Sequence, residues 1–293
     1  MTATVDGKSA TIDLEVKDSP TTLALLKDLL PFSKTSGTYR VSSDYGDALS
    51  DQHLANLLDS WAYFKRIYPT SVGDHTEIFI TQEARLITDI ASKLPECNQS
   101  VVSAQPSRVV LSCYDPVTGN NNWFVAPQTL PDFAIAQGEE SQAFLLRAMS
   151  ATSTLAKVPV EDWPWVMEGI AYAHESGTIG AGGASFTVAK PTPYLLSEYK
   201  KRAAANALKP LADLVALTSS QFTDVNDWGN HAQTAMLFVY IEKTRPGTIE
   251  ELITELNGRT ITSSAQVLTF LTGKLSTDAT ALDAAYKAFA ATL

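Results

Sequence analysis

Apolar positions along this chain follow two rhythms, and the change between them divides it. In the first part, short alternating runs are interspersed with helical ones. TIDLEV (11–16) alternates apolar and polar, as a half-buried strand does. Residues 20–30 place apolar side chains at helical spacing, with Pro20 suited to a first turn. A strand is predicted at 38–43, then a long amphipathic helix at 50–67. Ser50 or Asp51 is its expected cap, and Leu54, Leu57, Leu58, Trp61 and Phe64 form its apolar stripe. A strand at 75–81 and a helix at 82–94 follow. Two more strands, 108–114 and 121–126, flank Asp115, Pro116, Gly119 and Asn120, which are hairpin turn residues.

Beyond about residue 135 the pattern is helical. Helices are predicted at 139–157, 161–175, 193–217, 227–244, 248–256, 263–273 and 277–291, with Pro210 a potential break in the third. The expected fold class is α+β. An α/β subdomain at 1–135, a mixed sheet with flanking helices, precedes an all-helical subdomain at 136–293, with a cleft between them. There is no internal repeat.

Composition narrows the possible partners. Of 293 residues, 45% are hydrophobic and 18% charged, which suits a chain with a substantial core. The net charge of −10 and the lack of a long basic run speak against nucleic acid and anionic lipid. No apolar stretch approaches the roughly 20 residues of a membrane span. The first residues lack the charged and apolar regions of a signal peptide. A cytoplasmic protein and a secreted one with its leader removed both remain open. Cys97 and Cys113 flank a turn-like stretch, and Asn98 begins a glycosylation sequon. A disulfide and two free thiols are both compatible with that spacing. Oligomeric state is not legible.

The segment Trp163 to Tyr172 carries the most specific signal. Its Trp165, Glu168, Gly169 and Ala171 resemble the W-x-x-E-G-x-A stretch of the gluzincin, or thermolysin-like, zinc peptidases (peptidase MA-like). The resemblance implies a thermolysin-like catalytic-domain architecture in which Glu168 stands where the family has its third zinc ligand. The HExxH motif is absent. At the family's spacing before Glu168 the chain reads Phe144, Leu145, Leu146, Arg147, Ala148, Met149. A catalytic zinc needs about three N, S or O ligands, and aliphatic side chains supply neither ligand nor base. The four histidines, His53, His75, His174 and His231, show no H-x₃-H pair. No metal and no cofactor are therefore expected, and no standard zinc-peptidase activity.

Two functions remain. One is a degenerate gluzincin-like protein, a pseudoenzyme whose old cleft binds a small molecule or polypeptide. The other is an enzyme with metal-free acid/base or cyclase/hydrolase-type chemistry around Glu168. Candidate catalytic residues are Glu168, His231 and Arg147, the last as a cation replacing the metal beside Glu168. Candidate ligand-binding residues are Tyr172, His174 and Gln233. Ser197 and Lys200 match S-x-x-K without the supporting motifs of penicillin-recognising enzymes. Gly177 to Gly183 follows a helix, not a strand, so it reads as a mobile loop bordering the cleft and not as a dinucleotide turn.

Overall fold

The computed structural model describes residues 30–67, 78–82, 163–222 and 228–293 in full, and the backbone of residues 2–5, 8–11, 75–77, 103–105, 108–114 and 120–127. The fold is mixed α and β. β1 (Thr2–Val5) and β2 (Lys8–Thr11) form an antiparallel hairpin of their own. Only Thr11 of the strand expected at 11–16 falls in it, and the rest of that strand, with nearly all of the 20–30 helix, lies outside the described residues. β3 (Phe32–Ser36) and β4 (Tyr39–Ser43) pair antiparallel across a turn in which Gly37 takes φ 59°. That left-handed backbone suits glycine.

α1 (Asp47–Ile67) links β4 to β5 (His75–Ile80), which lies parallel to β4, so the three make a βαβ unit. α1 starts ahead of Ser50, and Ser50 is not its cap. The Ser50 hydroxyl is buried inside the helix, donating to the Phe32 carbonyl at 2.7 Å and lying 2.9 Å from the Ser43 hydroxyl. Asp51 instead pairs with Lys34 on β3 at 3.3 Å. β6 (Ser103–Gln105), β7 (Arg108–Tyr114) and β8 (Asn120–Pro127) complete a mixed sheet of order β3-β4-β5-β8-β7-β6. β8 runs parallel to β5 and antiparallel to β7. The helix expected at 82–94 lies outside the described residues.

The second part opens with α2 (Pro164–Glu175), whose proline occupies the first turn, where a missing N–H costs nothing. β9 (Gly177–Ile179) and β10 (Phe186–Val188) pair antiparallel around a 3₁₀ turn at Ala181–Gly183. This hairpin corrects the expectation of an irregular glycine-rich loop and of an all-helical second part. Then come α3 (Pro193–Ala204), α4 (Leu211–Val215), α5 (Ser219–Phe222), α6 (Gly229–Thr244), α7 (Thr248–Asn257), α8 (Ser264–Lys274) and α9 (Ala279–Ala290). The single helix expected at 193–217 is two, because Asn206 turns left-handed at φ 53° and Pro210 cannot continue a helix.

α6 is the central helix, buried on nearly every face. Such a helix needs apolar side chains all round, as Ala232, Ala235, Met236, Leu237, Phe238, Val239 and Ile241 supply. One apolar cluster runs from Val41 and Ile78 on the sheet, through Leu57 and Phe64 on α1, to Ile170 on α2 and Leu252 on α7. A boundary at 135/136 falls outside the described residues. No described helix is long and apolar enough to cross a membrane.

Candidate functional site

Three side chains converge where α2 faces the start of α6. Glu168 and Tyr172 are four residues apart and share one face of α2. Trp165, Ile170 and Tyr172 are buried and fix the rotation of that helix. The Trp165 indole donates from Nε1 to the Ser264 hydroxyl at 2.9 Å, tying α2 to α8. Gly169 permits the approach to α6, because a Cβ there would collide with the Phe238 ring. The Glu–Gly pair of the sequence motif thus has a geometric reason: the glycine brings the glutamate's helix against the helix that bears His231.

His231 sits in the first turn of α6. Its Nδ1 lies 2.9 Å from the Tyr172 hydroxyl and 3.7 Å from Glu168 Oε2. The first is a hydrogen bond. The second is too long for one and is an ion pair when the imidazole is protonated. The Glu168 side chain is 23% exposed and that of His231 10%. Glu168 therefore reaches solvent, whereas His231 shows it only an edge. The Phe222 and Trp228 rings flank the imidazole at centroid distances of 4.8 and 4.9 Å, and Trp228 is met edge-on by Tyr194. This aromatic wall fixes the plane of the His231 ring. The first turn of α6 is itself held: Asn230 donates to the Gln221 carbonyl and accepts from Arg202, whose side chain fills the space that Gly229 leaves by lacking a Cβ. The positive end of the α6 dipole adds attraction for the Glu168 carboxylate.

With Nδ1 engaged, Nε2 is the nitrogen of His231 without a partner among the described residues. If Tyr172 donates its hydroxyl proton to Nδ1, Nε2 carries a proton and is a donor. If Nδ1 carries the proton, Nε2 is a base. The arrangement therefore offers a carboxylate and an orientable imidazole side by side.

The other predicted site residues are elsewhere or undescribed. His174 is on α2 but wholly buried on another face. Its Nδ1 donates to the Ile170 carbonyl at 2.8 Å, and burial lowers its pKa to about 4, opposed by that bond. Gln233 is not at the site either. Its amide donates to the Lys209 carbonyl and the Tyr286 hydroxyl, both at 2.6 Å, and accepts from the Lys209 N–H at 3.0 Å. It is a structural bracket between α6, α9 and the segment before α4. Arg147, and with it the apolar run at 144–149, lies outside the described residues, as does Cys97. The side chain of Cys113 is likewise undescribed. Phe222 and Trp228 carry no signal of their own in the sequence, where two aromatics ahead of a buried helix read as core.

Glu168 and His231 are donor types that zinc takes, but a catalytic zinc needs about three protein ligands. Among the described residues no group of three His, Cys, Asp or Glu side chains comes together. Among the described residues, Glu168 and His231 alone fall short of that donor set. The chain matches no protein-family model and no curated protein.

Proposed function

We propose that the chain is a gluzincin-like protein without zinc chemistry, which binds a small molecule or polypeptide beside Glu168, His231 and Tyr172. The observation that carries this reading is the convergence of those side chains across α2 and α6, with Glu168 partly in solvent. A thermolysin-like architecture is part of the proposal. It is supported by the order of elements: a mixed sheet with an antiparallel β7–β8 pair, then the Glu168 helix, then α6 packed along it.

Native mass spectrometry with a small-molecule and peptide library, run beside metal analysis, tests it. A ligand held by the wild type should weaken at least about tenfold in Glu168→Gln and in His231→Ala, the loss of one charge-assisted bond. Peptides should remain uncut. One tightly held zinc per chain, or unaltered binding in both variants, overturns the proposal.

His231 Nε2, which has no hydrogen bond among the described residues, favours a second reading, metal-free acid/base catalysis. Here His231 moves a proton at Nε2 while Glu168 and Tyr172 steady the ring through Nδ1. A turnover that follows one ionisation and collapses in His231→Gln without a change in Tm would select it. Binding without turnover selects the first.

A further inference from the structure

His174 is a wholly enclosed ionisable group that the proposed site does not use. Its Nδ1–H is committed to the Ile170 carbonyl, so in the neutral ring Nε2 is a bare acceptor. Nε2 is buried and has no partner among the described residues. Three aromatic rings surround the imidazole. Phe186 of β10 stacks on it at 4.3 Å and 24°, and Tyr63 and Phe64 of α1 approach at 5.8 and 5.2 Å. His174 is therefore the surface on which the β9–β10 hairpin is seated between α1 and α2.

The hairpin holds no ionisable side chain of its own from Gly177 to Val188. Apart from the ring stack, it is tied to α1 by Gly182, whose N–H donates to Asp59 Oδ1 at 2.8 Å, and by Gly183, which lies against the Tyr63 backbone. Ionisable groups on the surrounding elements include His53, Asp59, Tyr63 and Arg66 on α1, Glu175 on α2, Glu242 on α6 and Glu250 on α7. Arg66 lies over the Tyr63 ring, whose hydroxyl donates to Glu250 at 3.4 Å. Glu175 accepts from the Thr192 hydroxyl, and Glu242 from α7 backbone N–H groups. None of them hydrogen-bonds His174.

We infer that His174 is an acid-sensitive latch for the β9–β10 hairpin: a proton taken up at Nε2 creates a buried, unaccepted N–H and drives Phe186 off the ring, freeing the hairpin from α1. A buried charge without an acceptor is costly, and the cheapest relief is to admit water where the covering element is shortest. β9 and β10 are three residues each and add only Ile179, with Phe186 packed at its margin, to the core cluster, whereas α1 and α2 each contribute several residues to it. The lowered pKa of His174 agrees with this enclosure. The inference does not depend on the ligand site.

Hydrogen exchange read by mass spectrometry, corrected for the intrinsic pH dependence, tests it on the full chain. Protection of residues 177–188 should fall at least about tenfold as pH drops from neutral to about 4, while α6 and α9 stay protected. His174→Phe should keep the hairpin protected through that range. Should that variant not fold, His174→Gln, which retains a donor for the Ile170 carbonyl, carries the same comparison. Asp59→Asn keeps an acceptor for Gly182 and should leave the acid transition in place. Phe186→Ala should show the open hairpin already at neutral pH. An unchanged transition in the His174 variants, its loss in Asp59→Asn, or simultaneous loss of protection in the hairpin and α6 overturns the latch.

Discussion

Gly169 shows how much one missing methyl group decides. Two effects of Gly169→Ala oppose each other. Alanine is favoured over glycine in a helix interior by about 1 kcal/mol. Against that, the new Cβ lands in the ring of Phe238, fully buried on α6, and overpacking a dense core costs about 1–3 kcal/mol. The collision involves several ring atoms of a fully buried side chain, so overpacking should win. Urea denaturation should show a net loss of roughly 1–2 kcal/mol, together with weaker coupling between Glu168 and His231 in a double-mutant cycle. A more stable variant would mean that α2 and α6 slide apart freely. At this scale the sequence reveals some residues and conceals others. Glu168 and Tyr172 stand out because a carboxylate beside glycine in a Trp-rich helix is chemically odd. Gln233 and His174 attract attention for the same polar chemistry, yet their polar atoms turn to Lys209, Tyr286 and Ile170. A one-dimensional spacing does not say which way a side chain on a helix buried on all sides will face.

Among the elements, the long helices are legible because apolar residues recur at helical spacing and proline or glycine marks their ends. β3 reads poorly for a physical reason: it is an edge strand, intermediate or exposed throughout, and so carries no apolar alternation. β9 and β10 are equally faint, since glycine permits close approach to α1 but has no side chain to set a period. The α6–α7 junction shows a cap that spacing hides. Glu242, at the end of α6, accepts from the Gly247 N–H at 2.5 Å and the Ile249 N–H at 3.0 Å, which satisfies the start of α7 from outside that helix. Gly247 makes the reversal possible at φ 86°. Burial holds the Glu242 carboxyl above its ordinary range, although the two N–H donors pull it down. Glu242→Ala leaves both donors without this acceptor; the Ile249 N–H is buried and that of Gly247 half-buried, and a buried orphan costs about 1–3 kcal/mol. A loss of at least about 2 kcal/mol in chemical denaturation is expected, with increased exchange in the first turn of α7. A loss under about 0.5 kcal/mol would show that solvent satisfies those groups instead.

For the whole molecule, the two fully buried histidines among the described residues and the net charge make opposite predictions on acidification. The chain carries −10 at neutral pH with a pI near 4.9, so lowering the pH toward that value relieves self-repulsion and on its own would stabilise the fold. His53 on α1 and His174 on α2 act the other way. Each is buried, and burial lowers its pKa from 6.5 to about 4. Between those values the unfolded chain binds protons that the folded chain refuses. Stability is therefore intact above about pH 6.5 and drains away as pH falls toward 4. The shifts correspond to roughly 3 kcal/mol for each histidine, against typical total stabilities of about 5–15 kcal/mol, whereas relief of a diffuse surface charge in salt is smaller. The histidines should prevail. Tm measured by calorimetry at constant ionic strength should decline steadily across that window. The double variant His53→Leu/His174→Phe should have a flat or rising Tm down to about pH 5, because the two histidines no longer oppose the net-charge term. A double variant whose Tm falls in parallel with the wild type would place the acid sensitivity outside these two rings, and would remove the physical basis for His174 as a latch.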